Sequence, residues 1–195
     1  MEIINFAEQE EFLQGRLNFN IRPNNFQMAI PDAKNILWRG IQYFCGDLAK
    51  WNPEYDEIAE WMTDNKGRGL LCLGSCGRGK TLICAKILPL ILNHYCKKIL
   101  RVYDAKEMNS KTDEVLSKWL TVIDDLGTES ISVKFGEKRI IFSELCDMAE
   151  KKGYFLVVTT NLSIDELREK YGERTIDRLR VITKPVLFSG ESLRK

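Results

Sequence analysis

Gly74-Ser75-Cys76-Gly77-Arg78-Gly79-Lys80-Thr81 decides how the rest of this sequence is read. The octapeptide fits the pattern G-x-x-x-x-G-K-[ST]. Glycines at this spacing let successive backbone N–H groups curl around an anion with no Cβ in the way. The helix expected to follow turns its N-terminus toward the same anion. Lys80 is placed to reach the β- and γ-phosphates of a nucleotide, and the Thr81 hydroxyl to ligate Mg²⁺. At average composition the four fixed positions coincide by chance in under about 1% of chains this long. The flanks agree with the motif. Gly69 to Leu73 reads as a short buried strand, and Thr81 to His94 as a helix apolar almost all round, kinked at Pro89. Gly74 through Thr81 is therefore the predicted phosphate cradle. Arg78 within it is expected to be solvated, without a role of its own.

Outward from the loop, apolar runs alternate with helical periodicity. Ile99–Tyr103, Trp119–Ile123, Tyr154–Thr160 and Val186–Phe188 read as strands, and Ile140–Lys151 and Ile164–Tyr171 as helices. This alternation predicts a parallel sheet covered on both faces, with its ligand at the carboxyl ends of the strands. Upstream, residues 1 to about 34 read as irregular, rich in Asn and carrying Pro23 and Pro31. Helices are expected over Asp32–Lys50 and Tyr55–Met62. The expected division is an N-terminal extension over residues 1–50, irregular then helical, and a nucleotide domain over residues 51–195.

Two strand ends carry polar groups at the edge where phosphates would lie. Leu120-Thr121-Val122-Ile123 runs into Asp124-Asp125. Two carboxylates at the end of a buried strand are costly unless they meet a cation or water. Asp124 suits Mg²⁺ held through its water shell, and Asp125 suits polarising an attacking water; the competing role is to cap the turn at Leu126-Gly127-Thr128. Val157-Val158-Thr159-Thr160 runs into Asn161, which either hydrogen-bonds the attacking water or γ-phosphate, or starts the next helix as an N-cap or Asx-turn. Arg174, Arg178 and Arg180 cluster later in the chain, where a charge run is ordinarily a solvated face.

The bulk numbers exclude several classes. With 29 basic and 28 acidic residues the net charge is +1, so any nucleic-acid contact must come from a local patch. There is no secretory signal pattern, and no apolar run approaches the roughly 20 residues of a membrane span. A soluble, cytoplasmic protein with no membrane partner is expected. The 6 cysteines contain no C-x-x-C pair and His94 is the sole histidine, so neither a zinc site nor a disulfide framework is expected.

Together these blocks resemble the AAA+ ATPase domain of DnaC-type replicative helicase loaders and their IstB-type transposition relatives, over roughly Gly69 to Arg194. The specific stretches are Ile123-Asp124-Asp125-Leu126-Gly127-Thr128-Glu129-Ser130, Thr159-Thr160-Asn161-Leu162-Ser163, Tyr171-Gly172-Glu173-Arg174, Asp177-Arg178-Leu179 and Gly190-Glu191-Ser192-Leu193-Arg194. The resemblance implies an α/β P-loop NTPase with AAA+ topology. Its five-stranded parallel sheet would have the order 5-1-4-3-2, without a full C-terminal lid. It implies Mg²⁺-ATP as substrate, Asn161 as sensor 1, and Arg178 as an arginine finger acting on a neighbouring subunit. Arg194 would be a sensor-2-like arginine near the nucleotide. It further implies self-assembly when ATP-bound and a replicative helicase as partner. Asp104 to Lys118 is shorter than the helical insertion the resemblance implies, which leaves single-stranded DNA as an open partner. Asp125 stands where many such proteins have glutamate. Adenine contacts are expected before the P-loop strand, with Trp38, Tyr43 and Phe44 as candidates that core packing also explains.

Three other functions stay on the page. One is an ATP-dependent binding module with negligible turnover, and another a transposition-targeting ATPase. The third is a small-molecule kinase, which the paired aspartates and the absence of an Arg-rich lid disfavour.

Overall fold

The computed structural model of the protein describes residues 5–17, 25–129, 132–134 and 137–193. In chain order the elements begin with α1 (Phe6–Leu17), α2 (Ala33–Cys45), α3 (Glu54–Thr63) and β1 (Gly69–Gly74). A helical rod follows the P-loop as a π-helical stretch Leu82–Ile87, α4 (Leu88–Ile91) and a second π-helical stretch Leu92–Cys96. Then come β2 (Arg101–Asp104), α5 (Thr112–Ser117), β3 (Leu120–Leu126) and the hairpin of β4 (Ser132–Lys134) and β5 (Glu137–Arg139). The chain closes with α6 (Ile141–Lys152), β6 (Phe155–Thr160), α7 (Ile164–Tyr171), α8 (Glu173–Ile182) and β7 (Thr183–Phe188).

The main sheet has five strands in the order β2-β3-β6-β1-β7, all neighbours parallel. Leaving out the hairpin and counting along the chain, this is 2-3-4-1-5, the expected order read from the opposite edge. Parallel strands buried on both faces must be apolar on both, and the side chains divide by alternation. Leu70, Cys72, Val122, Val157 and Val186 face one core, filled by Leu37 and Ile41 of α2, Tyr55 and Trp61 of α3, and Ile83, Ile87 and Leu88 of the rod. Leu71, Ile123, Leu156 and Val158 face the other, filled by Val115, Leu145, Leu167 and Leu179. The helix α2 thus packs into the same core as the P-loop helix.

Two sequence expectations are corrected. Residues 6–17, read as irregular, form α1, a helix of weak amphipathicity that sequence periodicity could not pick out. The helix expected to Lys50 ends at Cys45, where Gly46 at φ 54° breaks it before a 3-10 turn Gly46–Leu48. Pro89 stands in the first turn of α4, between the two π-helical stretches. Among the described residues, no helix is long and apolar enough to cross a membrane.

Candidate functional site

The sheet order sets the site. Because β6 lies between β1 and β3, the P-loop, the acidic strand end and Asn161 converge at one carboxyl edge. The contacts follow. Lys80 Nζ donates to Gly74 O and Ser75 O, each at 2.7 Å, and to Asn161 Oδ1 at 2.8 Å. Its three donors are thus satisfied, two by the loop and one by the end of β6. The Thr81 hydroxyl donates to Asp124 Oδ1 at 3.1 Å. Residues 81 and 43 positions apart in sequence thus meet over one cradle.

The loop is braced on three sides. Tyr55 of α3 donates its hydroxyl to Arg78 O at 2.8 Å. A Cβ on Gly79, which sits at φ 92°, would lie 2.6 Å from the Tyr55 hydroxyl oxygen, so this turn admits only glycine. Ser75 N donates to Phe188 O of β7 at 2.8 Å, and Leu193 N to Gly77 O at 2.9 Å. Arg78 corrects the sequence reading. Its guanidinium is 11% exposed and forks onto Glu54 Oε1 at 3.0 Å and 2.7 Å, so it clamps α3 to the loop. Nothing in sequence spacing links Glu54 to Arg78, and an acidic first helical turn looks ordinary.

At the acidic strand end, β3 carries an irregularity between Ile123 and Leu126. Asp125 occupies it in the left-handed region at φ 55°. Its N–H donates to Thr159 Oγ1 at 2.9 Å, and the same hydroxyl donates to Asp124 Oδ1 at 2.5 Å. Burial pushes the Asp124 carboxyl above its ordinary range. The hydroxyls of Thr159 and Thr81 oppose this, and Asp125 and Asp104 add to it. Burial lowers the Lys80 ammonium. The turn beyond is held by the main chain of Asp125, whose carbonyl accepts from Thr128 N and Oγ1, while Asp125 also lines the cavity. Glu129, 8% exposed, ties this turn to α7 through Lys170 and the Tyr171 hydroxyl. Thr159 and Glu129 were not singled out in the sequence. A polar residue inside an otherwise apolar strand was the signal for Thr159.

The two readings of Asn161 now separate. The N-cap of α7 is Ser163, in a capping box with Glu166, which leaves the Asn161 amide for Lys80 and the cavity. That cavity, about 440 Å³, has a polar half formed by Lys50, Cys76, Gly77, Gly79, Lys80, Thr81, Asp125 and Asn161. Its apolar half is formed by Ile41, Phe44, Cys45, Leu48, Tyr55, Leu82 and Leu193. Of the aromatic candidates, Phe44 lines it, whereas Trp38 packs edge-on against Trp51 and Tyr43 is 81% exposed. Arg178 lies elsewhere. Its guanidinium reaches Asp147 Oδ1 at 2.6 Å and Glu150 Oε2 at 2.8 Å, both on α6 of its own chain. Arg194 falls outside the described residues. Thr81 and Asp124 offer two hard oxygen donors side by side, a donor set that fits Mg²⁺.

No protein-family model matches the sequence, and no curated protein matches it. Solved structures do. The crystal structure of the DnaC helicase loader superposes with a TM-score of 0.53 at 20% identity, covering 83% of this chain and 93% of that one. A candidate primosome component from Streptococcus pyogenes serotype M3 superposes at 0.52 with 15% identity, covering 83% and 82%. At these identities the likeness speaks for architecture: this chain has the AAA+ P-loop fold, as seen in the solved DnaC helicase loader.

Proposed function

We propose that the protein binds Mg²⁺-ATP in the P-loop cavity and hydrolyses it, serving as a loader-type ATPase for a replicative helicase. The observation that carries this reading is the junction of Lys80 with Asn161 and of Thr81 with Asp124 at one sheet edge. A chance glycine-rich turn has no reason to meet both a polar strand end and an acidic one.

In this reading the phosphates enter the cradle of Gly74 to Thr81. Lys80 exchanges its contacts with Gly74 O, Ser75 O and Asn161 for phosphate oxygens. Released, Asn161 turns its amide to the γ-phosphate. Thr81 and Asp124 hold Mg²⁺, which when bound draws charge from the phosphate oxygens. Asp125 orients the attacking water and takes its proton. The apolar half of the cavity, with Phe44, Leu48 and Tyr55, receives the base. The helicase partner rests on the fold likeness and on the sequence resemblance; assembly between subunits rests on Arg178.

The test is direct. Binding of a fluorescent ATP analogue and steady-state phosphate release are measured for the native chain and for Lys80→Ala. The reading expects micromolar-range binding that is lost in Lys80→Ala, and turnover that needs Mg²⁺. A native chain that neither binds nor hydrolyses ATP overturns it. Transfer of the γ-phosphate to a nucleoside monophosphate in place of water would make it a kinase.

A further inference from the structure

The turn that follows Asp125 is gripped by a buried ion pair of which the proposed hydrolysis makes no use. Gly127 is held at both of its backbone poles. Its N–H donates to Glu129 Oε2 at 2.8 Å, and its carbonyl accepts from Lys170 Nζ at 2.6 Å. The carboxylate and the ammonium also meet each other at 3.0 Å, their side chains 8% and 24% exposed. Lys170 gives its remaining donor to Glu129 O at 3.0 Å, so all three are taken. The Tyr171 hydroxyl donates to Glu129 Oε1. Burial and the neighbouring carboxylate push that phenol far above its usual range, so it stays a donor.

This grip falls two residues beyond Asp125, which stands in the left-handed region at φ 55°. A non-glycine residue persists there only where its surroundings over-determine it. On the strand side, Asp125 N donates to Thr159 Oγ1. On the far side, Asp125 O accepts from Thr128 N and Oγ1. Thr128 itself lies between the two residues that the ion pair holds. Leu162, next to Asn161, fills the space where Gly127 would carry a side chain: a Cβ there would lie 2.5 Å from Leu162 Cδ1. The turn therefore has no room to slide toward β6.

Turns are ordinarily stabilised by hydroxyls, amides and glycine, without buried charge. Taking a carboxylate and an ammonium out of water carries a desolvation cost that their attraction offsets at best in part. A buried pair clasping one glycine is thus a poor stabiliser but a strict guide, because a shift of the turn leaves both charges unpaired. Its effect falls on where the turn points, and with it the Asp125 carboxylate.

We propose that Glu129, with Lys170 as its counter-ion, is a positioning residue for hydrolysis: the pair holds Gly127 at both poles so that Asp125 faces the cavity. This role rests on the ATP reading and adds to it a group that touches neither nucleotide nor water. Asp125 takes the proton, and Glu129 fixes where Asp125 stands.

The experiment measures phosphate release, fluorescent ATP-analogue binding and melting temperature for the native chain, Glu129→Gln, Lys170→Met and the double variant. Gln keeps the shape of Glu129 but sets an amide donor among the donors of Gly127, Lys170 and Tyr171. Glu129→Gln should lower kcat by about 10–100-fold, the scale of a misplacement of about 1 Å. KM and analogue affinity should stay at their native values. Lys170→Met should do the same. The double variant should be no slower than the slower single, because the pair acts as one unit. Glu129→Asp keeps the charge and draws the carboxylate back by one methylene; it should fold even where Glu129→Gln does not, and still lower kcat. Ile176→Val, in the core beneath α8, is the destabilised control. Assayed well below its melting temperature, it should keep native turnover. Native kcat in the Glu129 variants overturns the role. A loss of turnover matched by a loss of analogue affinity, or reproduced by Ile176→Val, also overturns it and assigns the pair to stability alone. A native chain that neither binds the analogue nor releases phosphate overturns the ATP reading and this role with it; native turnover that survives in the Glu129 variants overturns this role alone.

Discussion

Thr159 donates its hydroxyl to Asp124 Oδ1 at 2.5 Å while accepting from Asp125 N at 2.9 Å. One side chain on β6 therefore sets both the carboxylate proposed for Mg²⁺ and the backbone kink that turns Asp125 into the cavity. The hydroxyl is fully buried, so no water replaces it. Thr159→Val keeps the shape and removes both bonds. Phosphate release should fall about 10–100-fold, as for other groups that position metal ligands. Thr159→Ser should retain most of it. Binding of the fluorescent ATP analogue should change little in either variant. Equal turnover in Val and Ser variants would show that the hydroxyl does not matter.

Asp124 places charge where the free fold gains nothing from it. Its folded-state pKa is raised above the ordinary 3.8, chiefly by burial. The folded protein therefore binds the proton more tightly than the unfolded chain does. The penalty is full above the raised pKa and is relieved as pH falls through it toward 3.8. Asp124→Asn removes the charge and keeps an oxygen for Thr159 and Thr81. Without nucleotide at pH 7 it should melt higher than the native chain, by about 2–4 °C for each kcal/mol gained. The gap should close on acidification. With Mg²⁺-ATP at about 100 times its Kd the native chain gains about 2.7 kcal/mol, and the order should reverse. A variant that melts lower than the native protein at pH 7 would contradict the assignment of burial as the cause.

Much of the candidate site's geometry was legible because a phosphate-loop motif has fixed local spacing. Gly74 to Thr81 is contiguous, and Asp124 and Asn161 end apolar strands, so the parallel sheet had to bring them to one edge. Contacts that depend on packing angle were not legible. Glu54 meets Arg78 only because α3 lies across the loop, and Arg78 consequently read as solvated. Residues 6–17 lack a strong apolar face, so their helix left no periodic signature. Arg178 was placed by family resemblance, which carries a role but not the carboxylates of α6 that hold the side chain here.

The Glu54–Arg78 pair should behave as a buried ion pair. The side chains are 5% and 11% exposed, and removing one partner strands the other's charge. Glu54→Gln or Arg78→Met alone should cost about 3–5 kcal/mol in urea unfolding. The double variant should cost clearly less than the sum. ATP affinity should fall in the single variants through a loosened loop and recover in part in the double. Additive losses would mean that each residue acts through other contacts.

Arg178 cannot serve a neighbouring subunit while Asp147 and Glu150 hold its guanidinium. If it is a finger, assembly must draw it away from α6, and these two carboxylates oppose that step. Arg178→Ala should then leave ATP-analogue binding intact and lower phosphate release by about 10³-fold or more. Native specific activity should rise with protein concentration. Arg178→Lys should not rescue, because an ammonium lacks the planar fork. The decisive variant combines Asp147→Asn with Glu150→Gln. Freed from its own helix, the finger should raise specific activity at concentrations where subunits meet, even as the melting temperature drops. A purely structural Arg178 gives the opposite result: loss of both stability and activity in the double variant, and turnover per subunit that does not depend on concentration. Activity and stability moving in opposite directions would therefore identify the α6 carboxylates as a restraint on assembly-dependent hydrolysis.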